Sequence, residues 1–301
     1  MASPTMQSVL VTGATGLIGR RFVTEVAGRC ETWATSRHVP PDPPSGVHWI
    51  AHDFAGTALP SGLPERVDTV VHLAQAADHR NFPAGAPAIY SVATHATMQL
   101  LDWAYRTGAR RFILASTGGL YAPSAQPITE ASPLTIQDDP LAFYLTAKRM
   151  GEMLAERYAA ALTVVVLRFF FVYGPGQRST MLFPRLMASV MNGKPLSIQG
   201  RDGIRLNPLH VDDAARAIAR CCELDDSTTI NVAGPETVSM RQIGELIGEG
   251  LGRLPLFDCD PAVPRCWAAD ISRMRALLGE PSVLPAVGIP QVAQAFLVPQ
   301  R

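Results

Sequence analysis

The sequence predicts an α/β protein, a doubly wound parallel sheet with a smaller C-terminal lobe. Three observations carry this. Strand-like and helix-like segments alternate over the first 175 residues. One β-rich run, DTVVHLA at 68–74, is apolar on both faces, as a strand buried inside a parallel sheet must be. A glycine-rich turn, GATGLIG, joins the first strand to the first helix. Repeated βα units of this kind specify a parallel sheet covered by helices on both faces.

The elements follow in order. SVLVT (8–12) is the first strand, and the helix after the glycine turn runs to about Ala27. TWATS (32–36) and VHWIA (47–51) are strands separated by HVPPDPPSG, whose prolines make it a loop. After 68–74 come a helical stretch to Gly108, the strand RFILAS (111–116), and a helix over roughly 141–160. TVVVLRFFFVY (163–173) is the most β-rich run of the chain. Beyond Gly176, helices near 180–192, from about His210 and over 239–250 alternate with the short strands PLSIQ and TTINVAG. The last fifty residues are rich in proline and show no α/β alternation, so they are expected to form a small lobe over the carboxyl edge of the sheet. The expected boundaries are 1–175, also receiving about 205–235, for the sheet domain, and 176–204 with 236–301 for the lobe.

Composition bounds the function. The chain has 301 residues, 47% hydrophobic and 17% charged, which fits a packed globular protein. Lysine plus arginine equals aspartate plus glutamate at 26 each, so no net field draws nucleic acid or anionic lipid. The five cysteines include an adjacent pair and no CxxC, which suits a reducing compartment without a disulfide framework. The N-terminal stretch lacks a basic region, and no segment reaches ~18 uninterrupted apolar residues. A cytoplasmic location with no membrane partner is expected. No His/Cys/Asp cluster has metal spacing, so no metal is expected.

Chemistry enters at the glycine turn. Gly13 permits a tight exit from the first strand, Gly16 lets backbone approach a pyrophosphate, and Gly19 lets the helix pack closely. With Thr15, Leu17 and Ile18 between them, they place a helix N-terminus, with its unpaired N–H groups, against a phosphate. This is a Rossmann-type dinucleotide site. The second strand ends Thr35-Ser36-Arg37-His38, with no acid placed to hold an adenosine ribose. Arg37, beside Ser36, is suited to a 2′-phosphate, so NADP is favoured over NAD; the alternative is a solvated loop arginine. Asp53, followed by Phe54, is placed to meet the adenine; the alternative is a plain loop aspartate.

A series of motifs in order makes the chain similar to the extended short-chain dehydrogenase/reductase family, which contains NAD(P)-dependent sugar epimerases and dehydratases. GATGLIG resembles the family's TGxxGxxG. VVHLAQAA resembles its HLAA strand end, which implies that Leu73, Ala74 and Gln75 line the cofactor. ILASTGGLYA resembles the stretch with the catalytic serine or threonine, and counting back from Tyr121 puts that role on Thr117, with Ser116 its rival. QPITE and PLAFYLTAK resemble the P-x-x-E and YxxxK segments. LRFFFVYGPGQR, HVDDAARAI and AADISRMRALLGEP complete the series. The resemblance implies that Tyr144 exchanges a proton with a substrate oxygen. It implies that Lys148 stabilises the phenolate and holds the nicotinamide ribose, and that Thr117 holds the same oxygen. Phe171 would border the cofactor, while Ser116, Gly118, Phe170, Arg178 and Arg205 would face the substrate. Tyr121 and Tyr173 read equally as core aromatics with satisfied hydroxyls, His72 as a strand-end residue and His210 as a helix-capping or packing one.

Three departures loosen the substrate assignment. Phe171 stands where relatives that use nucleotide sugars carry asparagine before V-Y-G-P. Ala93 stands where a helix usually supplies another asparagine. Leu206 occupies the position of a diphosphate-gripping arginine, with Arg205 one residue out of register. Gly118 and Gly119 replace the acids a 4,6-dehydratase would have. The expected function is hydride transfer at a hydroxyl or ketone carbon of a sugar nucleotide or similar small metabolite. The alternative is an idle NADP-sensing protein of the same fold. The resemblance also implies a homodimer through the helices near 86–107 and 141–160.

Overall fold

A computed structural model describes residues 6–136 and 140–297. The chain forms two compact units. One comprises Met1–Tyr121, Pro133–Arg168 and Ala215–Ile230; the other comprises Ala122–Ser132, Phe169–Ala214 and Asn231–Arg301.

The first unit is built on β1 (Ser8–Thr12), β2 (Glu31–Ser36), β3 (Val47–Ala51), β4 (Thr69–His72), β5 (Arg111–Thr117) and β6 (Thr163–Phe169). With the strand Thr228–Val232 they make a seven-stranded sheet in the order β3-β2-β1-β4-β5-β6 and then 228–232. Register is parallel from β3 to β5; Thr12 stands opposite both Thr35 and His72. The doubly wound expectation therefore holds, and the order reverses direction between β1 and β4, where such folds open a crevice at the strands' carboxyl ends. All four residues of β4 are buried, as its two-faced apolarity requires.

Helices α1 (Leu17–Val26), α2 (Ala86–Tyr90), α3 (Ala96–Arg106) and α4 (Ala142–Tyr158) cover the sheet. Between α2 and α3 the backbone widens into a π-turn over Ser91–His95. The core of this unit joins Leu10, Val70, Leu100, Leu101, Phe112, Val164 and Val166. Thr94 donates its hydroxyl to the Ala147 carbonyl at 3.1 Å, and a Cβ on Gly151 would collide with the Ala93 carbonyl oxygen. Small residues therefore set how closely α4 approaches the π-turn.

In the second unit, the apolar run expected as one strand over 163–173 breaks after Phe169. A short strand, Val172–Tyr173, pairs instead with Leu209–His210. The break falls at Phe171, whose φ is +44°, a left-handed conformation that a continuing strand cannot adopt. The last fifty residues are more regular than their prolines suggest. Strands Phe257–Asp260 and Cys266–Trp267 are followed by helices Ser272–Leu278 and Pro285–Phe296. Pro285 occupies the first helical position, where its missing N–H costs nothing.

The division between units runs differently from the expected boundaries. Residues 122–132 belong with the second unit, because the Ser124 and Ile128 N–H groups donate to Cys266 and Ala268 carbonyls. Residues 205–214 join it too, with Arg205–Leu206 paired to Val238–Ser239 and Cys266–Trp267. Such long-range pairing leaves no local periodicity.

Candidate active site

The site in the first unit begins with the glycine turn. Gly13 has φ +67°, and a Cβ there would stand 2.8 Å from the Ala74 N and Cα and from the Leu73 carbonyl carbon. The turn is thus pressed against the end of β4. A Cβ on Gly19 would collide with the Gly13 carbonyl oxygen, so this glycine lets α1 fold back onto the turn itself. Gly16 is the N-cap of α1 and makes no side-chain cap, which leaves the helix N-terminus to the Thr15–Gly16 side, where both residues are exposed. Leu17 and Ile18 are half-buried beneath.

The switch point is fastened by side chains. The Thr12 hydroxyl lies 2.7 Å from His72 Nδ1 and accepts the Ala74 N–H at 3.2 Å, while Leu73 N–H donates to the Thr12 carbonyl at 3.2 Å. Burial, assisted by the charge of Lys148, pushes the His72 imidazole down to about 3, so it is neutral at physiological pH. His72 is a strand-end residue of the kind expected. A cradle without side chains, an uncapped helix N-terminus and close backbone approach fit a dinucleotide pyrophosphate.

The adenosine end is less built. Arg37 is exposed, and the hydroxyl of buried Ser36 donates to the His38 carbonyl at 2.6 Å. Asp53 is exposed and accepts the Ala55 N–H at 3.0 Å. Phe54 is a core residue, packed edge-on to His52 and His72 at ring distances of 4.6 and 6.1 Å.

Helix α4 brings the proton-handling groups to the ends of β4 and β5. Tyr144 is buried with Leu145, Ala147, Ile89, Ala93 and Leu120. Its hydroxyl donates to Gln75 Oε1 at 3.4 Å, and its ring packs on His79 at 5.0 Å. Lys148 donates Nζ–H to the Ala115 carbonyl at 2.9 Å. The half-buried Thr117 accepts the Gly119 N–H on its hydroxyl oxygen at 3.1 Å, which leaves the hydroxyl proton available to a substrate. Ser116 and Gly118 are buried on either side. Leu145 Cδ2 lies where a Cβ on Gly119 would be only 3.0 Å away, so that glycine lets α4 close on the Thr117 turn.

Burial raises the Tyr144 phenol above its ordinary value, opposite in direction to the lowering that the family resemblance implies for a loaded site. The same burial lowers the Lys148 ammonium to about 8, opposed by the charge of Glu152. In this state Tyr144 is a protonated acid and Lys148 a largely charged but easily discharged cation.

Sequence reasoning missed a buried charge network behind these residues. Glu152 is fully buried and receives Arg168 Nε at 3.0 Å and Nη2 at 2.7 Å, with Arg149 Nη1 at 3.0 Å. Arg168 also donates to the Tyr121 hydroxyl at 2.6 Å, so Tyr121 is a core aromatic with a satisfied hydroxyl. Burial would raise the Glu152 carboxyl, but Arg168, Ser116 and Arg149 outweigh it and hold it below its ordinary value. Ser116 nevertheless makes no hydrogen bond of standard geometry among the described residues. The Lys-x-x-x-Glu spacing was the one signal available in the sequence, and it is common on any helix.

The remaining candidates lie in the second unit. Phe170 is buried and Phe171 half-buried. Arg178 lines a cavity of about 380 Å³ with Gln177, Pro184, Met187, Val292 and Phe296. Arg205 is exposed, whereas Leu206 is wholly buried and holds nothing. Tyr173 is buried with no hydrogen-bond partner for its hydroxyl among the described residues, unlike Tyr121. His210 accepts the Asp212 N–H on Nδ1 at 3.3 Å, a helix-start role as expected.

A family model, the NAD dependent epimerase/dehydratase family, matches residues 9–233. The chain belongs to this family. It is an extended short-chain dehydrogenase/reductase, as its series of motifs implied. Among curated relatives, an uncharacterized UDP-glucose epimerase, YtcB of Bacillus subtilis (strain 168), is 28% identical over 294 residues, covering 90% of this chain and 91% of that one. Among solved structures, MoeE5 in complex with UDP-glucuronic acid and NAD matches with a TM-score of 0.80 at 28% identity, covering 96% and 98% of the two chains. The UDP-glucuronic acid 4-epimerase of Bacillus cereus in complex with NAD gives 0.82 at 25% identity, covering 96% of each. Among the described residues no helix is long and apolar enough to cross a membrane.

Proposed function

We propose that this member of the family is an active nicotinamide-dependent epimerase or oxidoreductase that moves a hydride at a hydroxyl or ketone carbon of a nucleotide sugar. The observation that carries this is the meeting, in one unit, of buried Tyr144 and Lys148 with the end of β5 at Ser116–Thr117, beside a glycine turn shaped for a pyrophosphate. Gly13, Gly16, Gly19 and the N-terminus of α1 would hold the dinucleotide, which supplies hydride acceptance and donation. Thr117 orients the substrate oxygen through its free hydroxyl proton. Tyr144 gives a proton to that oxygen or takes it, and Lys148 supplies the positive charge that favours the phenolate. Burial of the phenol makes that charge necessary, since desolvation by itself holds the proton on.

The similar proteins named for UDP-sugars support a nucleotide sugar as substrate. Phe171 and Ala93, in place of asparagines, favour one with fewer polar groups near the reacting carbon. The complexes named above hold NAD, so a preference for NADP rests on Arg37 alone. A homodimer through the two helical stretches is supported by exposed Tyr90, Met98, Tyr105, Met150 and Met153.

Tyr144→Phe tests the reading. With UDP-glucuronic acid and UDP-glucose as first substrates, turnover should fall at least about 100-fold, the low end of what general acid–base catalysis contributes. Wild-type turnover in the variant would remove Tyr144 from the chemistry, whereas absence of turnover in the wild type with either sugar and either dinucleotide would leave the idle binding protein as the better reading.

A further inference from the structure

Only two of the 26 basic residues are lysines, Lys148 and Lys194. In a chain that otherwise uses arginine, a lysine is buried at 148, where its charge can be discharged as an arginine's cannot. Something must set that charge. Tyr144, Lys148 and Glu152 recur every four residues, so they share one stripe of α4. Lys148 donates to the Ala115 carbonyl near the end of β5. The carboxylate cannot turn away, because Arg168 grips both its oxygens and Arg149 one of them.

We propose that Glu152, locked by Arg168, is a positioning residue for Lys148: a fixed buried carboxylate one helical turn behind the ammonium keeps it cationic and aimed at the end of β5. This rests on the reading above only for what the cation is used for. The titratable groups facing Lys148 are His72 from β4, which is held neutral, and Glu152 from its own helix, the one that acts on it as a charge. Arg149 and Arg168 face the carboxylate, and the Tyr144 phenol stays protonated. Glu152 opposes the burial that lowers Lys148 to about 8, so removing it lets the ammonium lose its proton near neutrality.

Two lysines make the test direct. Protein labelled with ¹³C at lysine Cε gives two NMR signals, and exposed Lys194 serves as reference. Two variants are titrated without substrate. Glu152→Gln keeps the shape and an acceptor oxygen. Glu152→Leu with Arg168→Met removes the pair together, so no charge is orphaned. The Lys148 midpoint should fall by about one pH unit in folded Glu152→Gln, the low end of the effect of a nearby opposite charge, and in the same direction but by less in the double variant, which also removes a like charge. In Glu152→Asp, which keeps the charge, it should stay within a few tenths. An unchanged midpoint in a folded charge-removing variant overturns the proposal and leaves Glu152–Arg168 a structural pair. Because no turnover is measured, that outcome is separate from the fate of the catalytic reading. Where turnover is assayed, the alkaline limb of its pH profile should move down by the same amount.

Discussion

Replacing Gly13 with alanine separates backbone strain from steric exclusion, because the chain carries its own control. Gly13 and Gly28 have similar backbones, with φ +67° and +76°. A left-handed conformation costs an L residue about 1–2 kcal/mol at either place. Alanine also restricts the unfolded chain, which returns roughly 0.4–1 kcal/mol at both. The positions differ in what a Cβ meets. At Gly28 nothing lies within 4 Å, whereas at Gly13 three backbone atoms of Leu73 and Ala74 stand at 2.8 Å. No side chain can swing aside, so the end of β4 must move, and overpacking of this kind costs about 1–3 kcal/mol. Gly28→Ala should therefore cost about 1 kcal/mol, and Gly13→Ala about 1–3 kcal/mol more. Urea unfolding followed by tryptophan fluorescence measures the difference, and calorimetric titration with NAD measures the consequence. Moving β4 stretches the bonds from Leu73 and Ala74 to Thr12, so Gly13→Ala should lose dinucleotide binding while Gly28→Ala keeps it. Equal destabilisation to within ~0.5 kcal/mol, or unimpaired NAD binding by Gly13→Ala, would refute the claim that contact with β4 requires this glycine.

Other outcomes follow from the same geometry. Lys148 has a folded value of about 8, below its unfolded value, so the unfolded chain binds more protons between the two and stability rises with pH there. From pH 8 to 9.5 this contributes on the order of 2 kcal/mol, present in wild type and absent from Lys148→Met in paired urea titrations; parallel curves would contradict it. Arg37→Ala should weaken NADP binding about tenfold or more and leave NAD unchanged; loss of neither would remove the one argument for NADP. Met153→Glu places a charge on the exposed stripe of α4 and should halve the mass of the proposed homodimer by light scattering, with a dimeric wild type and an unaltered mass in the variant ruling that surface out.

Much of the first unit was legible because its signals are local. The glycine spacing, the two-faced apolarity of β4 and the Tyr144/Lys148 spacing are each consequences of backbone geometry within a few residues. The last fifty residues were not, since proline reads as a loop signal whether it breaks a helix or, like Pro285, begins one. The strand expected over 163–173 failed for a similar reason. Phe169, Phe170 and Phe171 are equally β-prone, and only the pairing of Val172–Tyr173 with Leu209–His210 shows where the backbone turns.

By itself, then, the sequence determined the fold class, the glycine turn and the helix that carries the tyrosine and lysine. The tertiary structure decided what those residues feel. It placed Arg168 on Glu152 from 16 residues away, buried Leu206 while leaving Arg205 exposed, and pressed Gly13 against Ala74. A buried charge must find its partner in space, and a sequence records spacing along the chain rather than the dielectric around it.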